Sequence, residues 1–327
     1  MTPRVSVIIA TYNRAHLLKT AIDSVLTQTY RDYEVIIADD GSTDDTRELV
    51  RSYGDRVRYL YQENKGKSVM LNKALAVAGG EWVAFLDSDD YWLPEKLEMQ
   101  FRAVEQFIDQ DCGACFTDGQ FVNNPHMDTT LFRFYGRKYE QTFGFLPDAV
   151  RTFAESPAGV SVVTLMCRTE LVRQVGGFDP ELRFTEDYDF VFRLALVTKY
   201  CYVNLPLVIV DRTVASVRHT GVSAIWDRVD FRLDCEQRRY EKWLKLTAGS
   251  PSNVRRAILH HLRGVHSGRA NLFLERQDYE MAQRELSVAI KYQPTPNLLV
   301  KWMLSRIAPK TAREMVLNRR GFSPEVF

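Results

Sequence analysis

Short apolar runs alternate with stretches of helical period over the first hundred residues. Val5-Ser6-Val7-Ile8-Ile9-Ala10 is rich in β-branched side chains and reads as a buried strand. It ends in Thr11-Tyr12-Asn13-Arg14, after which Leu17, Leu18, Ala21, Ile22 and Val25 recur on one helical face. A second strand, Tyr33 to Ala38, runs into Asp39-Asp40-Gly41-Ser42 and a helix through Leu49 and Val50. Val57 to Tyr61 predicts a third strand, and Ser68 to Ala78 a third helix that Gly79-Gly80 stops. A fourth strand, Trp82 to Leu86, ends at Asp87-Ser88-Asp89-Asp90. Such alternation predicts an α/β fold, a mainly parallel sheet flanked by helices. Each polar cluster directly follows a strand. In open α/β sheets ligands bind beyond the carboxyl ends of the strands, so the clusters should converge on one cleft.

After Pro94, a helix start signal, Leu97, Phe101, Val104 and Phe107 follow helical spacing. Gly113 to Val122 predicts a strand, Asn123 to Ala158 is irregular, and Val160 to Cys167 predicts a further strand. Gly176-Gly177-Phe178-Asp179 is a turn, and Thr185 caps a helix holding Phe190, Leu194 and Val197. From Asp227 onward strand signals vanish, which predicts a C-terminal α-helical region over residues 227–327 behind a domain of residues 1–226. Within it Ala270, Leu272, Phe273, Tyr279, Ala282, Leu286 and Ala289 read as a helical hairpin.

Composition then narrows the class. The 327 residues carry 43 Lys plus Arg against 42 Asp plus Glu, a net charge of +1, which argues against a nucleic-acid binder and against disorder. Five cysteines are too few for a disulfide scaffold; Cys112 and Cys115 share a C-x-x-C spacing without a second pair and read as core residues. No apolar run approaches the ~20 residues needed to span a bilayer, and Val5 to Ala10 is too short for a signal-peptide core. The expectation is a soluble, cytoplasmic protein with room to lie on the inner face of a membrane.

Three acidic motifs carry candidate chemistry. Asp87 and Asp89, two apart in an extended segment, point to one side and can share a hard divalent cation with a phosphate; alternatively Ser88, Asp89 and Asp90 form a turn and cap the next helix. Asp39, ending the second strand, can hydrogen-bond a nucleoside or simply begin a helix cap. Glu186-Asp187 lies in a helix first turn, where acids suit the dipole and where a cleft-facing carboxylate would also serve as general base.

The ordered set Thr11-Tyr12-Asn13-Arg14, Asp39-Asp40-Gly41-Ser42, Asn64-x-Gly66 leading to Asn72, Asp87-x-Asp89-Asp90, Gly176-Gly177-Phe178-Asp179 and Glu186-Asp187 resembles glycosyltransferase family 2. These are inverting, nucleotide-sugar-dependent enzymes with the GT-A fold, a Rossmann-like sheet, and the resemblance covers roughly residues 4 to 222. It implies a hexosyltransferase-type enzyme. The nucleotide-sugar half would span about 1–110 and the acceptor half about 111–226. It further implies that Thr11 and Tyr12 lie against the nucleobase and ribose, that Asp39 accepts from the base, as an imide N–H of uracil would require, and that Asp87, beside Ser88, binds the ribose. Asp89 would ligate Mn²⁺ or Mg²⁺ bridging the diphosphate, and Asp187 would deprotonate the acceptor hydroxyl, with Glu186 positioning its neighbours. Arg218-His219 resembles a stretch that closes such domains, with His219 either a metal ligand or a capping or core residue. Where many relatives carry Arg just before the matching Asn, this chain has Met70-Leu71. Lys67, Lys65 or Arg14 must then supply the cation to the nucleotide, Lys67 being preferred.

The Gly-rich phosphate loop of a sugar-nucleotide pyrophosphorylase is missing after the first strand. A catalytically inactive nucleotide-sugar-binding module stands as the alternative. The implied partners are a nucleoside-diphosphate sugar and a glycan or lipid-linked saccharide acceptor. Net charge divides unevenly: residues 255–327 hold 13 Lys plus Arg and 6 Asp plus Glu. Within them Asn297 to Gly321 mixes apolar and basic positions, suited to peripheral contact with an anionic leaflet, to a homodimer contact or to an ordinary solvated helix.

Overall fold

A computed structural model describes residues 3–123, 128–156, 160–212 and 229–320. Two compact units divide the chain, Met1–Ala224 and Ile225–Phe327. The first unit is built on a mixed sheet. Strands β1 (Val5–Thr11), β2 (Tyr33–Asp39), β3 (Arg58–Tyr61) and β4 (Trp82–Asp87) lie parallel in the order β3-β2-β1-β4. Helices α1 (Ala15–Leu26), α2 (Thr46–Arg51) and α3 (Lys67–Val77) make the crossovers. Val7, Ile8 and Ile9 of β1 and Ile36, Ile37 and Ala38 of β2 are wholly buried, as a sheet covered on both faces demands.

Beyond β4 the sheet continues with β8 (Leu165–Arg168), β6 (Cys112–Val122), β9 (Lys199–Asp211) and β5 (Tyr91–Trp92), while β7 (Phe143–Leu146) pairs with the other end of β9. The helices here are α4 (Lys96–Gln106), α5 (Leu131–Phe134), α6 (Ala149–Glu155), α7 (Thr169–Gln174) and α8 (Glu186–Ala195). β4 and β8 run antiparallel, as do β8 and β6.

Three local expectations change. The run from Val160 is not a strand throughout: Val162–Thr164 forms a 3₁₀ turn and pairing starts at Leu165. Val160 and residues 162–167 are buried, and an apolar run does not distinguish a buried strand from a buried turn. Thr185 holds the N-cap position of α8, but its side chain makes no capping hydrogen bond and its Oγ1 is buried without a protein partner. The 13-residue β9 was not foreseen. Its sequence interrupts two apolar runs with Asn204, Pro206 and a bulged register opposite Thr117–Gly119.

The second unit comprises α9 (Val229–Leu246), α10 (Ser252–Glu275), α11 (Tyr279–Tyr292), α12 (Pro296–Ile307) and α13 (Pro309–Arg320). α10 and α11 form the expected hairpin. Ala270, Leu286, Ala289 and Leu298 make one core cluster, and Leu274, Ala282, Ala312 and Val316 another. Among the described residues no helix is long and apolar enough to cross a membrane.

Candidate active site

Strand register alone brings the polar clusters together. Across the β1–β2 ladder Thr11 lies opposite Asp39, and across β1–β4 Ala10 lies opposite Asp87. The loops beyond are stitched to each other. Asn13 takes a left-handed φ of 51°, which Asn tolerates; its N–H donates to Ser42 Oγ (2.8 Å) and its Oδ1 accepts from the Thr43 N–H (2.7 Å). The Ala15 N–H donates to Asp44 Oδ2 at 3.0 Å. Tyr12, just beyond Thr11, is 39% exposed.

Asp39 is fully buried. Its Oδ1 accepts from the Ser42 N–H at 2.9 Å and its Oδ2 from the Tyr59 hydroxyl at 2.5 Å. Burial and this carboxylate together push the Tyr59 hydroxyl well above the ordinary tyrosine value. Asp39 therefore fixes the loop through both carboxylate oxygens. Sequence reasoning missed its neighbour. Asp40 accepts from Gln62 Nε2 (2.7 Å) and from the backbone N–H groups of Lys65 (3.0 Å) and Gly66 (2.8 Å), and so holds the start of α3. Gly41 is required there, since a Cβ would lie 2.6 Å from the Asn64 nitrogen.

Asp87, Asp89 and Asp90 hold carboxylate oxygens within 4.8 Å of one another. Such a cluster repels itself unless cations or protons intervene. Lys67 Nζ lies 2.8 Å from Asp87 Oδ1 and Arg14 Nη1 lies 2.7 Å from Asp89 Oδ2. Asp90 is buried; that burial and then Asp89 hold its carboxyl well above the usual range, and its Oδ1 accepts from the Asp211 N–H. Three carboxylates with no nitrogen or sulfur donor form a set that suits a hard divalent cation. These residues fit one. Ser88, by contrast, is buried, its N–H bonded to the Ala10 carbonyl, and it shapes the turn.

The second acidic pair arrives from α8. Asn72 of α3 grips the Phe178 backbone from both sides, its Nδ2 donating to the carbonyl (2.7 Å) and its Oδ1 accepting from the N–H (2.8 Å). Arg193 of α8 donates to the carbonyls of Val175 (2.6 Å) and Gly177 (2.7 Å) and pairs with Asp189 at 2.6 Å. The Phe178 ring stacks on Phe190 at 4.4 Å and meets Phe85 of β4 edge-on at 5.3 Å. This aromatic column locks the glycine turn, α8 and β4 together, which explains why motifs about a hundred residues apart serve one site.

Glu186 and Asp187 open α8. Glu186 Oε2 and Asp187 Oδ1 are buried with no protein hydrogen-bond partner. Burial, then the Asp187 charge, pushes Glu186 up to about 8, while Lys67 opposes the rise. Asp187 is raised chiefly by burial, again against the pull of Lys67. Lys67 in turn is penalised by burial, yet Asp87, then Asp187 and Glu186, outweigh that and hold its ammonium above the ordinary lysine value. One cation thus serves the acids of β4 and α8. Thr11, Tyr12, Arg14, Lys67, Asp87, Ser88 and Asp89 all lie at this end of the sheet, and Glu186 and Asp187 couple to it through Lys67. His219 lies outside the described residues.

Comparisons with known proteins agree with this architecture. Residues 6–163 match the family model described as Glycosyl transferase family 2. An uncharacterized glycosyltransferase of Rickettsia typhi is 32% identical over 197 residues, 60% of this chain and 60% of that one, so the chain spans about three-fifths of that relative. The Escherichia coli protein WfgD, a UDP-Glc:alpha-D-GlcNAc-diphosphoundecaprenol beta-1,3-glucosyltransferase, is 38% identical over 122 residues, 37% of this chain and 47% of its own. The structure of Staphylococcus aureus TarS 1-349 in complex with UDP-GlcNAc superposes with a TM-score of 0.66 at 18% identity, covering 97% of this chain and 91% of that one.

Proposed function

For a chain whose first unit carries a glycosyltransferase family 2 domain on a GT-A-like fold, we propose an inverting sugar transfer. The donor is a nucleoside-diphosphate sugar, a UDP-sugar in our reading, and the acceptor is a hydroxyl of a glycan or lipid-linked saccharide. The observation that carries it is the meeting of two acid groups through one lysine: Asp87, Asp89 and Asp90 at the strand end, Glu186 and Asp187 on α8, and Lys67 coupled to both. The TarS complex with UDP-GlcNAc supports a UDP-sugar donor, and the diphosphoundecaprenol substrate in the name of WfgD supports a lipid-linked acceptor.

In this reading Tyr12 offers its exposed face to the base, Thr11 lies beside the ribose and Asp39 keeps their loop in shape. Asp87 accepts from the ribose hydroxyls, with Ser88 holding the turn beneath. Asp89, with Asp90 beside it, would hold Mn²⁺ or Mg²⁺. That ion, when bound, supplies positive charge to the departing diphosphate. Lys67 and Arg14 turn from the carboxylates toward the phosphates as these enter. Asp187 Oδ1, lacking any protein partner, accepts the proton of the acceptor hydroxyl as its oxygen attacks the anomeric carbon. Attack from the face opposite the nucleotide inverts that carbon. A raised pKa strengthens Asp187 as a proton acceptor, and Lys67 limits that rise.

Release of nucleoside diphosphate from a donor panel with Mn²⁺ or Mg²⁺ tests this. Wild type should turn over one donor and Asp187→Asn should lose about 10²–10⁴-fold. Nucleotide binding with no turnover of any donor, with or without candidate acceptors, would instead favour a non-catalytic binding module.

A further inference from the structure

Helix α12 is amphipathic in reverse. Its inward face carries Leu298, Lys301 and Ser305, all buried, with Lys301 Nζ donating to Asn271 Oδ1 at 2.8 Å. Its outward face carries Leu299, Val300, Met303 and Ile307, exposed to 40, 41, 49 and 80%. At 3.6 residues per turn Leu299, Met303 and Ile307 form one row with Val300 beside it. Ten large hydrophobic side chains are exposed among the described residues, and four of them stand on this one helix. The pattern is a patch, and a scattered surface would not produce it.

A basic groove borders the row. An open cavity of about 530 Å³ is lined by Arg284 and Lys291 of α11 and Trp302 and Arg306 of α12, with Glu280 its one acid. Trp302 follows Leu299 by three residues and Arg306 follows Met303 by three, so the groove wall and the apolar row share a helix side. Trp302 donates through Nε1 to Ser287 Oγ at 2.9 Å, and the Arg306 guanidinium lies 5.0 Å over its ring. An apolar row, an adjoining tryptophan and flanking bases are the parts of an interfacial helix.

We propose that this face of α12 docks on an anionic lipid surface. Leu299, Met303 and Ile307 enter the headgroup region, and the groove takes lipid phosphate. Charge selects this occupant. Residues 255–327 carry 13 Lys plus Arg against 6 Asp plus Glu, which a bilayer of anionic lipid complements. A second copy of the chain, docking face to face, would set one basic groove against another.

Vesicle flotation of the full chain tests the proposal, using phosphatidylcholine alone and mixed with phosphatidylglycerol, at low and high salt. Wild type should float only with the anionic vesicles and be released by salt. The double variant Met303→Glu with Ile307→Glu should lose at least about tenfold in partitioning. The triple variant Arg284→Ala, Lys291→Ala, Arg306→Ala should also bind less and lose its salt dependence. All these side chains lie at the surface, so unchanged helix content by circular dichroism should accompany the loss. Equal flotation of wild type and the double variant, or no flotation of wild type, overturns the proposal. So does a wild-type dimer in sedimentation that the double variant converts to monomer while vesicles are ignored.

Discussion

Asn72 joins α3 to the glycine turn that leads into α8, and in the proposed function its removal should separate turnover from nucleotide binding. In Asn72→Ala, the N–H and C=O of Phe178, bonded at 2.8 and 2.7 Å, both lose their partners. Phe178 is 1% exposed, so solvent replaces those bonds poorly. At about 1–3 kcal/mol for each stranded buried group, with partial relaxation, the loss should be about 2–4 kcal/mol. For a domain of this size that lowers the transition temperature by roughly 4–16 °C. The glycine turn and α8 are packed through Phe178 and Phe190, so Glu186 and Asp187 should lose their fixed position while Asp87 and Asp89 keep theirs. Thermal unfolding should show the destabilisation; turnover should fall well beyond any change in nucleotide Kd. Asn72→Leu should behave alike, because it restores volume and not the bonds. A loss below about 0.5 kcal/mol, or turnover and affinity falling together, would refute the reasoning.

Other outcomes follow from single geometries. Gly177 has φ +66° and a Cβ there would lie 2.3 Å from Asn72 Oδ1, whereas Gly176, at φ +79°, has open space. Gly177→Ala should therefore cost about 2–3 kcal/mol and Gly176→Ala about 1, and equal melting curves would sink the steric argument. Lys96 is wholly buried, its Nζ 3.6 Å from the Trp92 ring centre with no hydrogen-bond partner, and burial holds its pKa well below the ordinary value. Its unfolded form takes up a proton below about pH 10.4 that the folded form resists, so this group's penalty grows as pH falls. Lys96→Met should raise stability at pH 7 by about 1–3 kcal/mol and flatten its rise toward alkaline pH, read by urea titration. For the Glu186–Asp187 pair the folded pKa is raised, so this contribution is harmless below the ordinary carboxylate range and stability declines as pH rises toward about 8. In the proposed reaction turnover should rise with pH above the ordinary carboxylate range, as the raised Asp187 carboxyl loses its proton. Lys67→Met, removing the opposing cation, should move that limb to higher pH; an unmoved pH–rate profile would contradict the coupling.

How much of the site was visible beforehand depended on the kind of constraint. Strand ends announce themselves locally: apolar runs stopping at Thr11, Asp39 and Asp87 marked three strand ends of one edge. Lys67 as the cation was inferred from what is missing at Met70-Leu71, and its Nζ lies against Asp87. Asp40 and Asn13 were passed over because their work is hydrogen bonding across loops about thirty residues apart, which leaves no periodic trace. The Tyr59 hydroxyl that donates to Asp39, from twenty residues on, likewise left no local trace. The reversed face of α12 was legible only as a mixture of basic and apolar residues; which of them faced inward depended on the helices it met.

The sequence by itself determined the alternation of elements, the edge of the sheet at which the polar loops gather and the supply of acids to it. These are properties of local period and of chain direction, and they survive without knowledge of contacts. Tertiary structure decided the electrostatics and the partition of roles. A pKa depends on burial and on charges brought from distant segments, so Asp87 and Asp187, a hundred residues apart, acquire a common lysine only when Asn72 and the Phe85–Phe178–Phe190 column bring α8 to the end of β4. Likewise, which side of α12 is a surface is a matter of what packs against the other, and only the fold supplies that.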